Sequence, residues 1–191
     1  MNYIIVDLEA TCWERSAILP QLKREQSPNE IIEIGAVCID QNKNLLGEID
    51  LFVQPKVHPK LSAFCIDLTS ITQELVDFAP MFPDALQQFQ NWIKNFGEEF
   101  ILCSWGFYDR VQFENDCKLH KLNTDWLHHH ISLKHQYGKI KNIKPIGMKS
   151  ALQKEKFSLD GTHHRGLDDA KNISKIFVKY FDEWDKGTRG A

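Results

Sequence analysis

Long apolar runs, paired cysteines and a strong net charge are all absent from this 191-residue sequence. No apolar segment approaches the roughly 20 residues that cross a bilayer, so we expect no contact with a membrane. The five cysteines are odd in number, scattered and never spaced as Cys-x-x-Cys. This argues against a zinc knuckle or a disulfide framework and favours thiols buried in a reducing cytosol. The apolar start runs straight into Asp7 without a basic flank or a cleavage site, so we expect a cytoplasmic protein without a signal peptide.

The charge distribution is uneven along the chain. The net charge of −3 argues against a general nucleic-acid coating protein. Residues 118–156 are nevertheless basic, with nine lysines against Asp125 and Glu155. Such a stretch is typical of a surface that follows a polyanion, and a solvated face of charged helices explains it equally well. The composition therefore allows a nucleic-acid substrate without requiring one.

Apolar periodicity indicates one α/β domain over residues 1–185, with a flexible tail at residues 186–191. Runs rich in β-branched residues predict four strands and a fifth, edge strand, at residues 3–8, 31–40, 45–53, 100–105 and 128–133. Helical spacing predicts five helices, at residues 69–78, 83–96, 109–119, 147–154 and 167–181. Residues 13–30 are polar and hold two prolines, as expected of a loop. Short links favour antiparallel pairing of the first three strands, so we expect a mixed five-stranded sheet flanked by helices.

Two acidic residues, Asp7 and Glu9, end the first predicted strand two positions apart. On a strand both side chains point to the same face, where two carboxylates repel each other unless a cation lies between them. A pair of solvated acids at an exposed strand end is the simpler alternative. The pattern alone therefore suggests a metal site without establishing one.

Other acidic residues begin predicted helices. Asp109 follows the fourth strand, and Asp168 and Asp169 occupy the first turn of the last helix. Carboxylates favour helix N-termini, which explains each of them without a metal. His164 precedes the last helix and is a candidate general base, although its neighbour His163 could take that role or both could lie on the surface. With the Asp-x-Glu pair, these residues form the ordered set that a two-metal phosphodiester-cleaving site needs.

Five stretches carry a resemblance to a known family. They span nearly the whole chain and are VDLEATCW at 6–13, EIIEIGAV at 30–37, LTSITQ at 68–73, SWGFYD at 104–109 and HHRGLDDAKNI at 163–173. In these stretches the sequence resembles the DEDDh branch of the DnaQ-like 3′–5′ exonucleases and, within it, the Eri-type exonucleases of histone mRNA and RNA interference. The histidine five residues before Asp169 disfavours the branch that has tyrosine there. The resemblance implies the ribonuclease H-like exonuclease fold.

The resemblance also implies a role for each of five catalytic residues. Asp7 would bridge two Mg²⁺ or Mn²⁺ ions. Glu9 and Asp169 would complete the shell of one ion, and Asp109 would support the other. His164 would deprotonate the water that displaces the terminal nucleotide, which leaves as a nucleoside 5′-monophosphate. The expected substrate is the 3′ end of single-stranded RNA, with DNA proofreading or repair as the alternative. A catalytically silent nucleic-acid-binding module is a further alternative, which the complete set of five residues disfavours.

The same resemblance places the residues that follow Asp-x-Glu near the terminal sugar of the substrate. Ala10 and Thr11 are therefore candidate contacts to the 3′ end. Three aromatic residues are candidates for stacking on the terminal base, namely Trp13, Phe64 and Trp105. Each of these rings fits the hydrophobic core equally well.

Several polar residues near these motifs have simpler explanations. Arg110 and Arg165 could contact phosphate, although pairing with surface acids is the plainer expectation. Glu33 is expected to make a structural hydrogen bond, and Asp168 to be a structural neighbour of the site. The run His128–His130 is assigned no metal, because adjacent strand residues alternate faces.

Two departures from the family limit what is carried over. The sequence contains no counterpart of the extra nucleic-acid-binding domain that often precedes the nuclease domain of Eri-type proteins. It also has Gly161-Thr162 where the family commonly has Gly-Arg before the two histidines. Stem-loop specificity is therefore not expected, and the oligomeric state is left open.

Overall fold

A computed structural model of the protein describes residues 1–14 and 29–187. Its strands are β1 (Asn2–Ala10), β2 (Ile31–Ile39), β3 (Leu45–Phe52), β4 (Phe100–Ser104) and β5 (His130–Ser132). They form one sheet in the order β3-β2-β1-β4-β5, antiparallel from β3 to β1 and parallel from β1 to β5. The predicted mixed five-stranded sheet is confirmed, although the edge strand is shorter than expected. Most of the predicted loop at residues 13–30 and of the predicted tail lies outside the described residues.

Seven α-helices lie within the described residues. They are α1 (Ala63–Thr69), α2 (Gln73–Asp77), α3 (Phe82–Lys94), α4 (Tyr108–Leu119), α5 (Leu133–Ile140), α6 (Met148–Glu155) and α7 (Gly166–Lys179). A 3₁₀ turn at Asp125–Leu127 precedes β5. Within the described ranges, none of the helices is both long enough and apolar enough to cross a membrane.

The short helix predicted at residues 69–78 is present with narrower bounds as α2, whereas α1, which precedes it, was not predicted. Ser62 begins α1, since its hydroxyl accepts a hydrogen bond from the Cys65 N–H at 3.0 Å. Ser70 ends α1 in a left-handed conformation with φ of 60°. Thr72 then caps α2 through its own hydroxyl. Ser70 and Thr72 therefore separate α2 from α1.

Helix α5 was not predicted. It follows β5 without a connecting turn, and its eight residues bury only Leu133, Tyr137 and Gly138. A short basic segment with one Gly has little helical periodicity to detect. Packing of Tyr137 against Trp105 and Tyr180 stabilises α5 instead, and these partners are distant in the sequence.

Helices cover both faces of the sheet, because residues alternate along the buried strands. On one face, Tyr3 and Ile5 of β1 join a core that includes Ile173 and Phe177 of α7. On the other face, Ile4, Val6 and Leu8 join a core with buried residues of α3 and α4, among them Phe89 and Phe113. The central strand β1 is thus buried on both sides, and its end lies between α4 and α7.

Helix α7 begins in direct contact with β2. A Cβ atom on Gly35 would lie 1.9 Å from the backbone carbonyl carbon of Gly166, so this approach requires glycine at position 35. A Cβ atom on Gly166 would lie 3.0 Å from the carbonyl oxygen of Asp7. The contact therefore brings the first turn of α7 to the end of β1.

Candidate active site

Three of the predicted metal ligands meet where β1 ends. Ligand oxygens of Asp7, Glu9 and Asp169 all lie within 4.8 Å of one another. Asp7 and Glu9 are two positions apart on β1 and share one face of the sheet, as expected. Asp169 reaches them from the first turn of α7, which the contact between Gly35 and Gly166 holds in place.

The fourth predicted ligand, Asp109, lies in the first turn of α4 and is buried. Its Oδ1 accepts a hydrogen bond from the Leu8 N–H at 3.1 Å, which ties α4 to β1. The Ser104 hydroxyl also bonds this carboxyl group. Burial raises the pKa of Asp109 to about 6, although these hydrogen bonds oppose the rise. Asp109 thus occupies the helix start that the sequence suggests and also belongs to the acidic cluster.

Crowding of buried carboxylates dominates the electrostatics of the site. Burial raises the pKa of Asp7 well above its usual value, and the charges of Asp109, Glu9, Asp169 and Glu33 raise it further. Burial and the neighbouring carboxylates, above all Glu33, raise the pKa of Glu9 to about 8. Among the described residues, no lysine or arginine forms an ion pair with Asp7, Glu9 or Asp169 to offset this repulsion, and only His163 pairs with Asp169.

The donor set fits divalent cations. Asp169 Oδ1 is buried and has no hydrogen-bond partner among the described residues. A buried carboxylate oxygen without a partner is costly unless something positive approaches it. Several carboxylate oxygens on a rigid frame are the ligands that Mg²⁺ and Mn²⁺ prefer.

The two predicted base candidates both contact Asp169. His163 Nδ1 lies 2.8 Å from Asp169 Oδ2, and the His164 backbone N–H donates to the same oxygen at 3.0 Å. The two imidazole rings stack with centroids 4.0 Å apart. Burial lowers the pKa of His164, and the nearby charges of His163 and Lys149 lower it further despite Asp169. A neutral imidazole therefore lies beside the carboxylates.

Glu33 anchors the segment that carries these histidines. This fully buried carboxylate accepts hydrogen bonds from the Gly166 N–H at 2.9 Å and from Arg165 Nε at 3.1 Å. Arg165 Nη2 also lies 3.6 Å from Asp50 Oδ2. The structure thus gives Glu33 the structural hydrogen bonds expected of it and pairs Arg165 with acids of the protein.

Other polar residues of the motifs also have partners within the protein. Arg110 Nε lies 2.9 Å from Glu114 Oε1. Asp168 Oδ2 accepts a hydrogen bond from the Thr162 N–H at 2.7 Å, as expected of a structural neighbour. His130 Nε2 lies 2.9 Å from Ser104 Oγ, which connects this histidine to the environment of Asp109.

The predicted substrate contacts fall into two groups. Ala10, Thr11 and Trp105 are buried. Thr11 Oγ1 accepts a hydrogen bond from the Glu30 N–H at 2.9 Å. The expectation that Trp105 stacks on a base is wrong, because its ring packs on Tyr137 and its Nε1 donates to the Ile146 carbonyl. Trp13 and Phe64 retain exposed surface, and Trp13 meets the His58 ring edge to face at 4.6 Å.

Tyr108 is a residue of the site that sequence reasoning missed. It precedes Asp109 and is half exposed. Burial of its hydroxyl is the main reason that the pKa of Tyr108 rises to about 12, and the charges of Asp109 and Glu9 raise it further. A hydrogen bond from Asn29 opposes this rise. The position of this aromatic residue directly before Asp109, a candidate metal ligand, is the sequence feature that could have indicated it.

Comparison with known proteins decides the family. A family model described as Exonuclease, of the RNase T type, matches residues 4–177. The chain belongs to this exonuclease family. This confirms the family that the sequence resembles.

The chain is 32% identical over 195 residues to "ERI1 exoribonuclease 2" of Xenopus laevis, covering 91% of this chain and 27% of the relative. It is 32% identical over 192 residues to "3'-5' exoribonuclease 1" of Rattus norvegicus, covering 95% of this chain and 54% of the relative. The exonuclease-family chain therefore spans about half or less of the length of these relatives.

Solved structures of exonucleases have the same fold. A 3′-exonuclease in 3′-end specific recognition of a histone mRNA stem-loop superposes with a TM-score of 0.86 at 29% identity, covering 95% of this chain and 82% of that one. The nuclease domain of 3'hExo, a DEDDh family member bound to rAMP, has a TM-score of 0.84 at 29% identity, covering 97% and 94%. The ribonuclease H-like exonuclease fold is thus confirmed.

Proposed function

We propose that this chain is a metal-dependent 3′–5′ exonuclease that hydrolyses single-stranded RNA to nucleoside 5′-monophosphates. One observation carries the proposal. Four carboxylates from three separate parts of the sequence gather at the end of β1, next to a histidine of lowered pKa. Such a buried acidic cluster is unfavourable by itself and becomes favourable when divalent cations bind. We assign the whole site to one domain over residues 1–185.

The carboxylates of Asp7, Glu9, Asp109 and Asp169 would hold two Mg²⁺ or Mn²⁺ ions. Bound ions supply two effects in such sites, because they lower the pKa of water and stabilise charge on the attacking and leaving oxygens. The buried oxygen of Asp169 that lacks a partner supports this assignment. The raised pKa values of Asp7 and Glu9 mean that metal binding would release protons.

His164 would accept the proton of the attacking water. Its lowered pKa keeps the ring neutral at neutral pH, as a general base requires. The hydrogen bond from its backbone to Asp169 holds the residue beside the carboxylates. His163 would orient Asp169 through its contact with Oδ2.

The substrate end would lie along the segment that follows β1. Ala10 and Thr11 would border the terminal sugar through their backbone, since their side chains are buried. Trp13 and Phe64 would contact the terminal base, because both keep exposed ring surface near this segment. The Ser62 hydroxyl donates to the Cys12 carbonyl at 2.6 Å, which holds the start of α1 against it.

RNA is proposed as substrate because the similar proteins are named as exoribonucleases. Hydrolysis of DNA in repair or proofreading is the alternative within the same chemistry. All five cysteines are free thiols, which is consistent with the cytoplasm as the place of action.

The test uses RNA and DNA of one sequence, labelled at the 5′ end, with Mg²⁺, Mn²⁺ or EDTA. We expect a ladder that shortens from the 3′ end, requires metal and forms faster on RNA. Asp7→Asn should abolish it. Asp182→Asn is the matched control, because this exposed acid pairs with Lys43 at the other end of the domain. Faster cleavage of DNA would favour the alternative substrate, whereas binding without cleavage under every condition would indicate a silent binding module.

A further inference from the structure

Two cysteines lie together beside the candidate active site. Cys12 lies three residues after Glu9 in the segment that follows β1, and Cys65 lies in the first turns of α1. The Ser62 hydroxyl joins their backbones, because it donates to the Cys12 carbonyl at 2.6 Å and accepts a hydrogen bond from the Cys65 N–H at 3.0 Å. Cys12 also packs against the small buried cluster that Cys65 forms with Ile32, Ile71 and Val76.

The remaining cysteines lie apart from this pair. Cys103 is buried in the core between the sheet and α7. Cys38 and Cys117 are buried in the core on the opposite face. Cys12 alone of the five is partly exposed. The structure therefore has one pair of neighbouring cysteines packed in a single cluster, with access from solvent through Cys12.

We propose that Cys12 and Cys65 are an oxidation site at which hydrogen peroxide forms a reversible intramolecular disulfide. The effect of this bond on catalysis rests on the function proposed above, whereas its formation does not.

The surroundings of Cys65 favour its ionised form. The side-chain and backbone hydrogen bonds from Cys12 and the bond from Thr69 lower the pKa of the Cys65 thiol to about 7, although burial opposes this. The pKa of Cys12 is raised, chiefly by the same sulfur–sulfur hydrogen bond and by burial. The pair therefore shares one proton near neutral pH, and a thiolate is the species that reacts with peroxide.

The chemistry balances with peroxide as the oxidant. The thiolate attacks one peroxide oxygen, the O–O bond breaks, and a sulfenic acid and hydroxide form. The second sulfur then attacks the sulfenic sulfur, the S–S bond forms, and the S–O bond breaks. The sulfenic oxygen leaves as water with the proton of the second thiol, and the proton released when the first thiol ionised converts the hydroxide into a second water. Two thiols and one peroxide thus give one disulfide and two waters.

Bond formation would change the segment that borders Glu9. The Cys65 thiol donates a weak hydrogen bond to the Ala10 carbonyl at 3.7 Å, and oxidation removes this donor. The two sulfurs would also approach from contact to a bond of about 2 Å. Ala10 follows Glu9 directly, so the disulfide would displace the candidate 3′-end contacts relative to the carboxylates.

Peptide mapping tests the bond itself. In a tryptic digest, Cys12 falls in peptide 1–15 and Cys65 in peptide 61–94, each without another cysteine. After peroxide treatment and alkylation of the full-length protein, we expect these peptides joined, with two hydrogens lost, and separated again by dithiothreitol. Cys65→Ser should abolish the joined species, and Cys38→Ala should leave it unchanged. Absence of the joined peptide from the peroxide-treated protein, or the joining of either peptide to one that carries Cys38, Cys103 or Cys117 instead, would overturn the proposal.

Exonuclease assays test the consequence on the same samples. Peroxide should slow cleavage several-fold, and dithiothreitol should restore it. The Cys65→Ser variant should keep its rate after peroxide, whereas Cys38→Ala should respond as the unmodified protein does. Undiminished cleavage by fully cross-linked protein would overturn the effect on catalysis. Absence of cleavage by the reduced protein would instead count against the proposed function, and the mapping result would stand.

Discussion

Glu9 carries a pH dependence that follows from its place among other carboxylates. Its pKa rises from 4.5 to about 8 because the folded protein buries it beside Glu33 and Asp169. The folded, metal-free protein therefore binds more protons than the unfolded chain between these two values. By linkage, the contribution of Glu9 to folding stability is fully present below about pH 4.5 and decreases as pH rises towards 8.

We predict that Glu9→Gln stabilises the metal-free protein at about pH 8 by roughly 2 kcal/mol and has little effect at about pH 4. The amide keeps the shape of the side chain and removes the charge that the neighbours repel. Urea unfolding in EDTA at both values measures the difference. Equal stability of variant and wild type at the higher pH would show that the charge of Glu9 does not destabilise the fold.

The same substitution should also weaken the stabilisation that Mg²⁺ gives, because it removes one ligand. We expect Mg²⁺ to raise the melting temperature of Glu9→Gln by less than it raises that of the wild type. Asp182→Asn serves here as the control that retains the full rise.

Residue type and order were enough to predict a set of acidic residues and two histidines that the structure brings together, and their catalytic roles stay a prediction. The packing of Trp105 and the hydrogen bond of Thr11 could not be predicted from residue type and order. Trp105 is buried by Tyr137 and Ile146, and Thr11 is held by Glu30. These partners lie 19 or more residues away in the sequence, so only the folded chain shows them.

At the scale of elements, the contact between β2 and α7 determines whether the site forms. Gly35 of β2 and Gly166 of α7 approach so closely that no side chain fits between them. Glu33, two residues earlier on β2, bonds the same turn of α7. The site therefore depends on a backbone contact as much as on its ligands.

We predict that Gly35→Ala destabilises the protein by about 3 kcal/mol and abolishes cleavage, because the added Cβ must push α7 away from β2. Chemical denaturation and the ladder assay measure the two effects. Gly147→Ala is the matched control, because a Cβ there meets nothing within 4 Å. A Gly35→Ala variant as stable as this control would contradict the packing described here.

Helices α5, α6 and α7 meet at a buried acid. Burial alone would raise the pKa of Glu155, but bonds from Lys179, Tyr137, Tyr180 and Lys141 outweigh it and lower the pKa to about 2. The Lys179 Nζ and Tyr137 hydroxyl each lie 2.6 Å from a Glu155 oxygen. This carboxylate thus stabilises the fold when it is charged.

We predict that Glu155→Gln costs roughly 2 kcal/mol at neutral pH and that the difference from wild type disappears under acid conditions. Because folding lowers the pKa of Glu155, the stabilisation from its charge is present above about pH 4.5 and is lost as pH falls towards 2. Thermal unfolding across this range measures it, with the exposed Glu183→Gln as control. A constant difference at all pH values would show that the charge is not responsible.

Long, strongly patterned elements were predictable, and short ones were not. The apolar, β-branched runs of β1 and β2 and the spacing of α3 and α7 agree with the structure to within a few residues. Local hydrogen bonds of Ser62 and Ser70 set the ends of α1, and apolar spacing does not show them. Helix α5 depends on packing against distant aromatic rings, which no local pattern shows.

Across the whole molecule, the basic stretch at residues 118–156 reaches the site. Lys149, exposed near the start of α6, lies close enough to His164 for its charge to lower the pKa of that imidazole. A cation at this distance from the carboxylates is well placed to meet a phosphate of the substrate.

We predict that Lys149→Ala raises the KM for RNA several-fold and reduces the salt slope of binding by about one. Lys118→Ala, a second exposed lysine at the far end of α4 from Asp109, should change neither quantity. Steady-state kinetics at several salt concentrations measure both. Equal effects of the two substitutions would indicate a diffuse field in place of a local contact.

Because Asp169 stands on α7, the first turn of α7 must dock on β2 before four acids can meet at the end of β1. A ribosome synthesises α7 more than 150 residues after β1. The growing chain, still attached to the messenger that encodes it, therefore lacks a complete site until this helix has emerged from the exit tunnel. For the exonuclease proposed above, the order of synthesis itself would keep that RNA away from a complete site.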